Sequence, residues 1–405
     1  MQIRELCEII RERLDTMHVG CFKDEVRPLL LISEQYPGVW LEHVYDSVFY
    51  ATLDRTKLYL AVNTLELFMR RQTEDGQLPC CIIDGNKRKE GPLVSYSQIQ
   101  ECVSFARLGL MVYRMGGDKE LLGRCYSTAE RWVGWLRKNR MTRGEGLVEM
   151  FVGFDTGHDN SGRLNGISCR GTQIIDGVRL NAAVLPPEDG ITPIIAVDMN
   201  SNYYSTLMSL SEMAAELSYE TEGYWRDEVA KVKKRLIELT YDEKDAFFYD
   251  LDKQGRRRKY LSSAVLHLFM EGVLDPICDR EMISEIITRH LMNPNEFRTP
   301  YAYPSMAVCD PSCEGHIASN CWVYFTEGLI LLRTTLWMDK YGLGDELDRM
   351  CESWLRAWCE HYDEIKLGQE LDPITGVPSP SSEWYSSTML FYLYAAKRLG
   401  YYDGI

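Results

Sequence analysis

"NSNYYSTLMSLSEMAAELSYETEGYWRDEVAKVKKRLIELTY", residues 200 to 241, reads as two helices of opposite character joined by a short polar turn. The first carries Tyr, Leu, Met, Ala and Ser all round its wheel, as a helix buried on both sides does; the second is charged along one face. The same alternation recurs along the chain. "KLYLAVNTLELFMRR" (57–71) stops at "EDGQLP", and "SYSQIQECVSFARLGLMVYRMGG" (95–117) ends on a glycine pair. "DKELLGRCYSTAERWVGWLRKNR" (118–140) opens acidic and closes basic, as the helix macrodipole favours. "NCWVYFTEGLILLRTTLWMDKYG" (320–342) precedes "GDELDRMCESWLRAWCEHYD" (344–363), and "SSTMLFYLYAAKRLG" (386–400) is the last helix. Short β-like pieces lie between pairs: "GQLPCCII", "GLVEMFVGF", and a hairpin in "AFFYDLDKQGRRRKYL" turning at Lys253-Gln254-Gly255. No Pro- or Ser-rich linker divides residues 1–405. The pattern predicts an all-α single domain of inner and outer helices, either a closed toroid or an open solenoid, with short β-hairpins in its connecting loops.

Composition removes several function classes. A formal charge of -15 argues against nucleic acid, whose phosphates need clustered Lys and Arg. The one dense basic run, Arg256 to Lys259, follows Gly255 and reads as a solvated hairpin. No apolar run approaches the roughly 20 residues that span a bilayer, so no membrane partner is expected. The amphipathic start "MQIRELCEIIRERLDTM" is not an export signal, which points to the cytoplasm. The 13 cysteines are scattered, as reduced core thiols would be, and they lack the paired spacing of a zinc site; no metal and no cofactor are expected.

The chemistry concentrates in "GFDTGHDNSGRL", residues 153–164, where Asp155, Asp159, Asn160 and Ser161 sit among turn-forming glycines. An ordinary Asx-type turn explains such a stretch, and so does a carboxyl group held over a pocket. Glycosidic cleavage needs two carboxyl groups, one protonated to assist the leaving oxygen and one ionised to activate water. Aromatics stack on sugar faces, and the chain holds 9 Trp and 24 Tyr, clustered beside polar residues in "GVWLEHVYDSVFYA", "NSNYY", "TPYAYPS" and "SSEWYSS".

With those stretches in place, "DTGHDNSGR" (155–163) resembles the acid-bearing loop of glycoside hydrolase family 63 and the related trehalases. "YDSVFYA" (45–51) is similar to an early block of that family, and "VDMNSNY" (197–203) to a later one. "FRTPYAYPSMAVCDPSCEGHIASNCWVYFTEGL" (297–329) and "LDPITG" (371–376) resemble its two C-terminal blocks, in the family's order. The resemblance implies an (α/α)6 toroid and an inverting α-glycosidase. It places Asp159 on the general acid, with Asn160 and Arg163 around it, Asp198 and Asn200 lining the pocket, and Asp46 on a sugar-binding acid. Burial against Tyr and Trp is expected to keep Asp159 protonated until it acts.

The chain also departs from the pattern. The family's base is a Glu four residues before the proline of the "LDPITG" block, and Gln369 stands there. An amide cannot take a proton from water. Glu370, one place later, is the favoured substitute, with Glu383 in "PSSEWYSS" behind it; the remaining reading is a site that binds without hydrolysing. Ala318 replaces an expected sugar-stacking Trp, and His316 beside it is a candidate hydroxyl partner or a satisfied loop histidine. Gln98 and Trp384 join the substrate-binding candidates on chemistry and placement. The expected partner is a small α-linked glucoside or mannoside, and self-association is left open. A sugar isomerase on the same toroid would need histidine pairs near the inner helices, where His267 is the chief candidate.

Overall fold

Among the described residues, twelve α-helices alternate between inner and outer positions: α1 (Ile3–Arg13), α2 (Val44–Leu53), α3 (Leu58–Arg70), α4 (Phe105–Gly116), α5 (Lys119–Asn139), α6 (Val197–Leu217), α7 (Glu222–Thr240), α8 (Leu266–Met270), α9 (Arg280–Ile286), α10 (Gly328–Thr334), α11 (Gly344–Glu360) and α12 (Ser386–Arg398). The computed structural model describes residues 1–22, 25–83, 94–169, 172–175, 178–301, 303–314 and 322–404. The even-numbered helices form the inner ring. α2 packs on α4, α4 on α6 and α6 on α8, while α10 packs on α12 and α12 returns to α2. α8 and α10 line a common cavity. This is the (α/α)6 toroid, and the solenoid alternative is set aside. α1 completes the outer layer by burying Leu6, Cys7 and Ile10 against α11 and α12.

The difference between layers is the one read from residues 200–241. α6 is buried on nearly every side, whereas α7 buries Trp225, Val229, Val232 and Leu236 and turns Lys and Glu outward. Each buried Leu or Val contributes about 1.5–3 kcal/mol, and one hydrophobic cluster runs continuously from Leu6 to Tyr402. Local chemistry fixes the helix ends. Ser104 Oγ accepts from Arg107 N–H at the start of α4, Gly117 closes it at φ 74°, and the Asp118 carboxylate caps α5.

Two expected helices are shorter than the periodicity suggests. The 95–117 segment becomes helical only at Phe105; Val94–Ser95 is a strand, and Gln100 turns with φ 52°. Among its described residues, the 320–342 segment is α-helical only over Gly328–Thr334, because Thr326–Glu327 pairs antiparallel with Glu370–Leu371. In both cases residues with helical spacing are spent on the loops at the ring mouth. The hairpin at Lys253–Gly255 forms as expected, Asp250–Leu251 pairing with Arg257–Arg258. Its basic run is neutralised locally: Arg256 pairs with Asp252, and Arg257 and Lys259 with Asp242.

Candidate active site

The two acids of the 153–164 loop have separate tasks. The Asp155 carboxylate is wholly buried and accepts from Arg140 at 2.7 and 3.1 Å and from the N–H groups of Phe151, Val152 and Ile99. A buried carboxylate with this many donors is an anchor, since desolvation is tolerated only when the charge is fully matched. Gly157 follows at φ 71°, where an added Cβ would strike the Glu42 carboxylate and Cys102 Sγ. The chain then divides at two neighbours. His158 turns inward and stacks on Trp322 with ring centroids 4.5 Å apart. Asp159 faces a cavity of about 50 Å³, and its carbonyl accepts from Trp322 N–H at 3.4 Å.

That cavity has aromatic walls, Tyr36, Trp40, Trp322 and Tyr385, as a sugar face requires. Its polar groups are Asp159, Glu42, His43, Gln100 and Gln369. Burial, reinforced by the Asp159 charge, pushes the Glu42 carboxyl up to about 8, against the opposing pull of Arg333. Gln100 Nε2 donates to Glu42 Oε2 at 3.1 Å, and Gln98 Nε2 to Gln100 Oε1 at 2.8 Å. His43 Nε2 pairs with the Tyr385 hydroxyl at 2.7 Å, and its Nδ1 lies 3.2 Å from Glu42 Oε1 without hydrogen-bond geometry. Burial, then Arg333, holds His43 well below the ordinary histidine range, so it is neutral. A larger groove of about 570 Å³, lined by residues of α5 and α7 and by Tyr203 of α6, holds none of the candidate catalytic or substrate-binding residues.

The C-terminal segment meets the cavity through Gln369. Strand geometry sends consecutive side chains to opposite faces, and Glu370 is fully buried, accepting from Ser379 Oγ at 2.5 Å. Glu370 stands directly across the ladder from Glu327. Both charges, together with those of Asp159 and Glu42, raise the Tyr36 phenol after burial has done so, Asp159 acting most strongly and Glu327 next. Glu383 is exposed and accepts from the Lys366 N–H at 3.2 Å, away from the cavity. Trp384 is only 8 % exposed, and its ring lies under the Arg13 guanidinium at 4.4 Å; the next residue, Tyr385, enters the site instead.

Several expected sugar contacts are bonded within the protein. Arg163 is buried and pairs with Asp198 and, at 2.9 Å, with Asp250, so these charges satisfy one another beneath the loop. Asn200 bridges Val148 N–H and C=O and thereby ties α6 to the strand region. Asp46 accepts from Ser386 and Ser387 at 2.5 and 2.7 Å, and burial raises its carboxyl to about 6. Asn160 is exposed at φ 61°. Gln98 acts on the cavity only through Gln100. His316 and Ala318 lie outside the described residues. The cavity residues the motif reading missed are Tyr36, Trp40, Glu42, His43, Gln100, Trp322 and Tyr385; several stand in the quoted aromatic clusters.

His158, Asp198 and His267 bring potential metal-ligating atoms within 4.8 Å of one another. Arg163 already occupies Asp198, and the Arg163 and Arg333 charges both act on His158 and His267. A cation fits that surrounding poorly. The same two histidines lie 5.6 Å apart between ring centroids and line a separate cavity of about 20 Å³ next to the aromatic one.

A family model for the mannosylglycerate hydrolase MGH1-like glycoside hydrolase domain matches residues 43–322. The chain belongs to that family of glycoside hydrolases. Among solved structures, the family 63 mannosylglycerate hydrolase of Thermus thermophilus, in complex with Tris and D-glycerate, is similar with a TM-score of 0.73 at 14% identity, covering 97% of this chain and 99% of that one. The neutral trehalase of Saccharomyces cerevisiae aligns at 0.64 and 13% identity, over 98% of this chain and 81% of its own. A metal-independent α-mannosidase of Streptococcus pneumoniae aligns at 0.58 and 11% identity, over 98% and 93%. No curated protein sequence matches. Among the described residues, no helix is long and apolar enough to cross a membrane.

Proposed function

We propose that this glycoside hydrolase cleaves a small α-linked glucoside or mannoside in the cytoplasm, by single displacement with inversion. Asp159 donates the proton to the leaving oxygen. The observation that carries the reading is that Asp159, from the middle of the chain, and Gln369, from its C-terminal part, share one cavity walled by Tyr36, Trp40, Trp322 and Tyr385. Glu42, whose carboxyl is raised to about 8, stays neutral at pH 7 and donates a hydrogen bond to a sugar hydroxyl. Gln369 cannot deprotonate water, so the ladder that carries it supplies the base: Glu327, whose charge acts on cavity-lining Tyr36 and Tyr385, with Glu370 behind it. A mannosylglycerate-type glycoside heads the substrate panel, after the family's namesake.

The test is a set of single variants on α-glucosides and α-mannosides. Asp159→Asn is expected to lose about 10²–10⁴-fold in turnover, the usual worth of a positioned proton donor, while retaining binding. Near-normal turnover removes Asp159 from the chemistry. Glu327→Gln is expected to be impaired more than Glu370→Gln; the reverse order assigns the base to Glu370. Gln369 favours one other reading, a carbohydrate-binding relative without hydrolysis, which predicts sugar binding and no product from the wild type.

A further inference from the structure

Three buried arginines sit near the centre of the ring, and their surroundings differ. Arg140 is paired with Asp155, and Arg163 with Asp198 and Asp250. Arg333, on α10 and only 4 % exposed, has no carboxylate within 4.0 Å among the described residues. Its one hydrogen bond there runs from a terminal nitrogen to the Glu42 carbonyl at 3.3 Å, and its Nε–H has no partner. Burying a guanidinium without a matched anion is strongly unfavourable. Burial leaves nearby Glu42 predominantly protonated at neutral pH, and Asp46, whose Oδ2 takes two serine hydroxyls, feels the Arg333 charge from beyond ion-pair distance.

Beside Arg333 is a small cavity of about 20 Å³ between α8 and α10. Ser263, His267, His158 and Arg333 form its polar wall, and Met270 and Trp337 belong to its apolar one. Ser263 Oγ and His267 Nδ1 are buried and have no hydrogen-bond partner, as is Arg333 Nε. Three side chains that can each donate thus border one void large enough for a single small particle. A water would satisfy the donors but bring no charge to match the Arg333 guanidinium, which an anion does. Nor does a metal cation suit a site that a guanidinium borders.

We propose that this cavity is a binding site for one small monovalent anion of chloride size, held by Arg333 Nε–H, Ser263 O–H and His267 Nδ1–H. The site lies directly behind the aromatic cavity, since His158 lines one and stacks on Trp322 of the other, and Arg333 bonds the backbone of Glu42. The anion supplies the charge that Arg333 lacks and fixes the wall on which Asp159 and Trp322 are mounted. Nothing in this assignment depends on which glycoside is cleaved.

The experiment is thermal unfolding of the wild-type chain in sodium gluconate, with chloride, bromide or sulfate replacing gluconate at constant ionic strength, together with bromide anomalous diffraction. Expected are a melting temperature that rises by about 2 °C or more with chloride and bromide, no such rise with sulfate, and an anomalous peak beside Arg333. Arg333→Met is expected to lose the halide dependence, and Ser263→Ala to need several-fold more halide for the same rise. An identical melting temperature in gluconate and chloride, or a cavity holding water alone in bromide-soaked crystals, overturns the proposal whether or not the variants fold.

Discussion

Replacing Glu42 by Gln tests the electrostatics of the aromatic cavity without changing its shape. Burial is the largest cause of the raised carboxyl, the Asp159 and Asp46 charges add to it, and Arg333 and Gln100 oppose it; the result is about 8 against an ordinary 4.5. A carboxyl raised on folding favours the native state while it holds its proton. That stabilisation is complete below the unfolded-state value and is lost as pH rises through the folded one. At about 1.4 kcal/mol per pH unit, nearly three effective units between pH 5 and pH 8 make the loss roughly 3–4 kcal/mol in the wild type. The amide of the Glu42→Gln variant has no such proton to lose. Glu101, raised by burial to about 7, titrates in both proteins and cancels in the difference. Urea unfolding of both proteins at pH 5, 6, 7 and 8 is therefore expected to show the variant gaining on the wild type by roughly 3–4 kcal/mol across the series. A gap constant to within about 1 kcal/mol would mean that Glu42 is ionised throughout, and the proton inventory assigned to the site would be wrong.

Asp155→Ala removes the anchor of the acid loop and strands Arg140; it is expected to cost about 3–5 kcal/mol, read from denaturant unfolding, with less than about 1 kcal/mol contradicting the anchoring role. Glu383→Gln is expected to leave turnover within about twofold, because the side chain is exposed and away from the cavity; a large loss would return it to the base role.

The ring was legible because inner and outer helices differ in composition, and residues 200–241 display that difference within one hairpin. Helix length was less legible. Residues 95–104 and 320–327 have helical spacing, but Ser104 capping and the Glu327–Glu370 pairing lie outside what periodicity records. Asp159 and Gln369, which motif matching singled out 210 positions apart, line one cavity. Arg163, Asp198 and Asn200 do not line that cavity, since a motif shows that polar residues gather but not whether they face a ligand or one another. Here Arg163 and Asp198 close on each other. Glu42 was hidden in "LEHVYDSVF", where its spacing from Asp46 reads as one helix face; a 3-10 turn over Leu41–His43 brings it to the cavity instead. The unpaired Arg333 had no sequence signal, because charge compensation is a property of the folded packing.

Asp159 and an ionised partner at one cavity are proposed to invert an α-glycosidic bond. Proton NMR of the first minutes of reaction on an α-mannoside and α-glucoside panel reads that directly. With inversion, the β-anomer of the free sugar appears first and mutarotates to the α form. First appearance of the α-anomer, or no sugar released from any member of the panel, would contradict it.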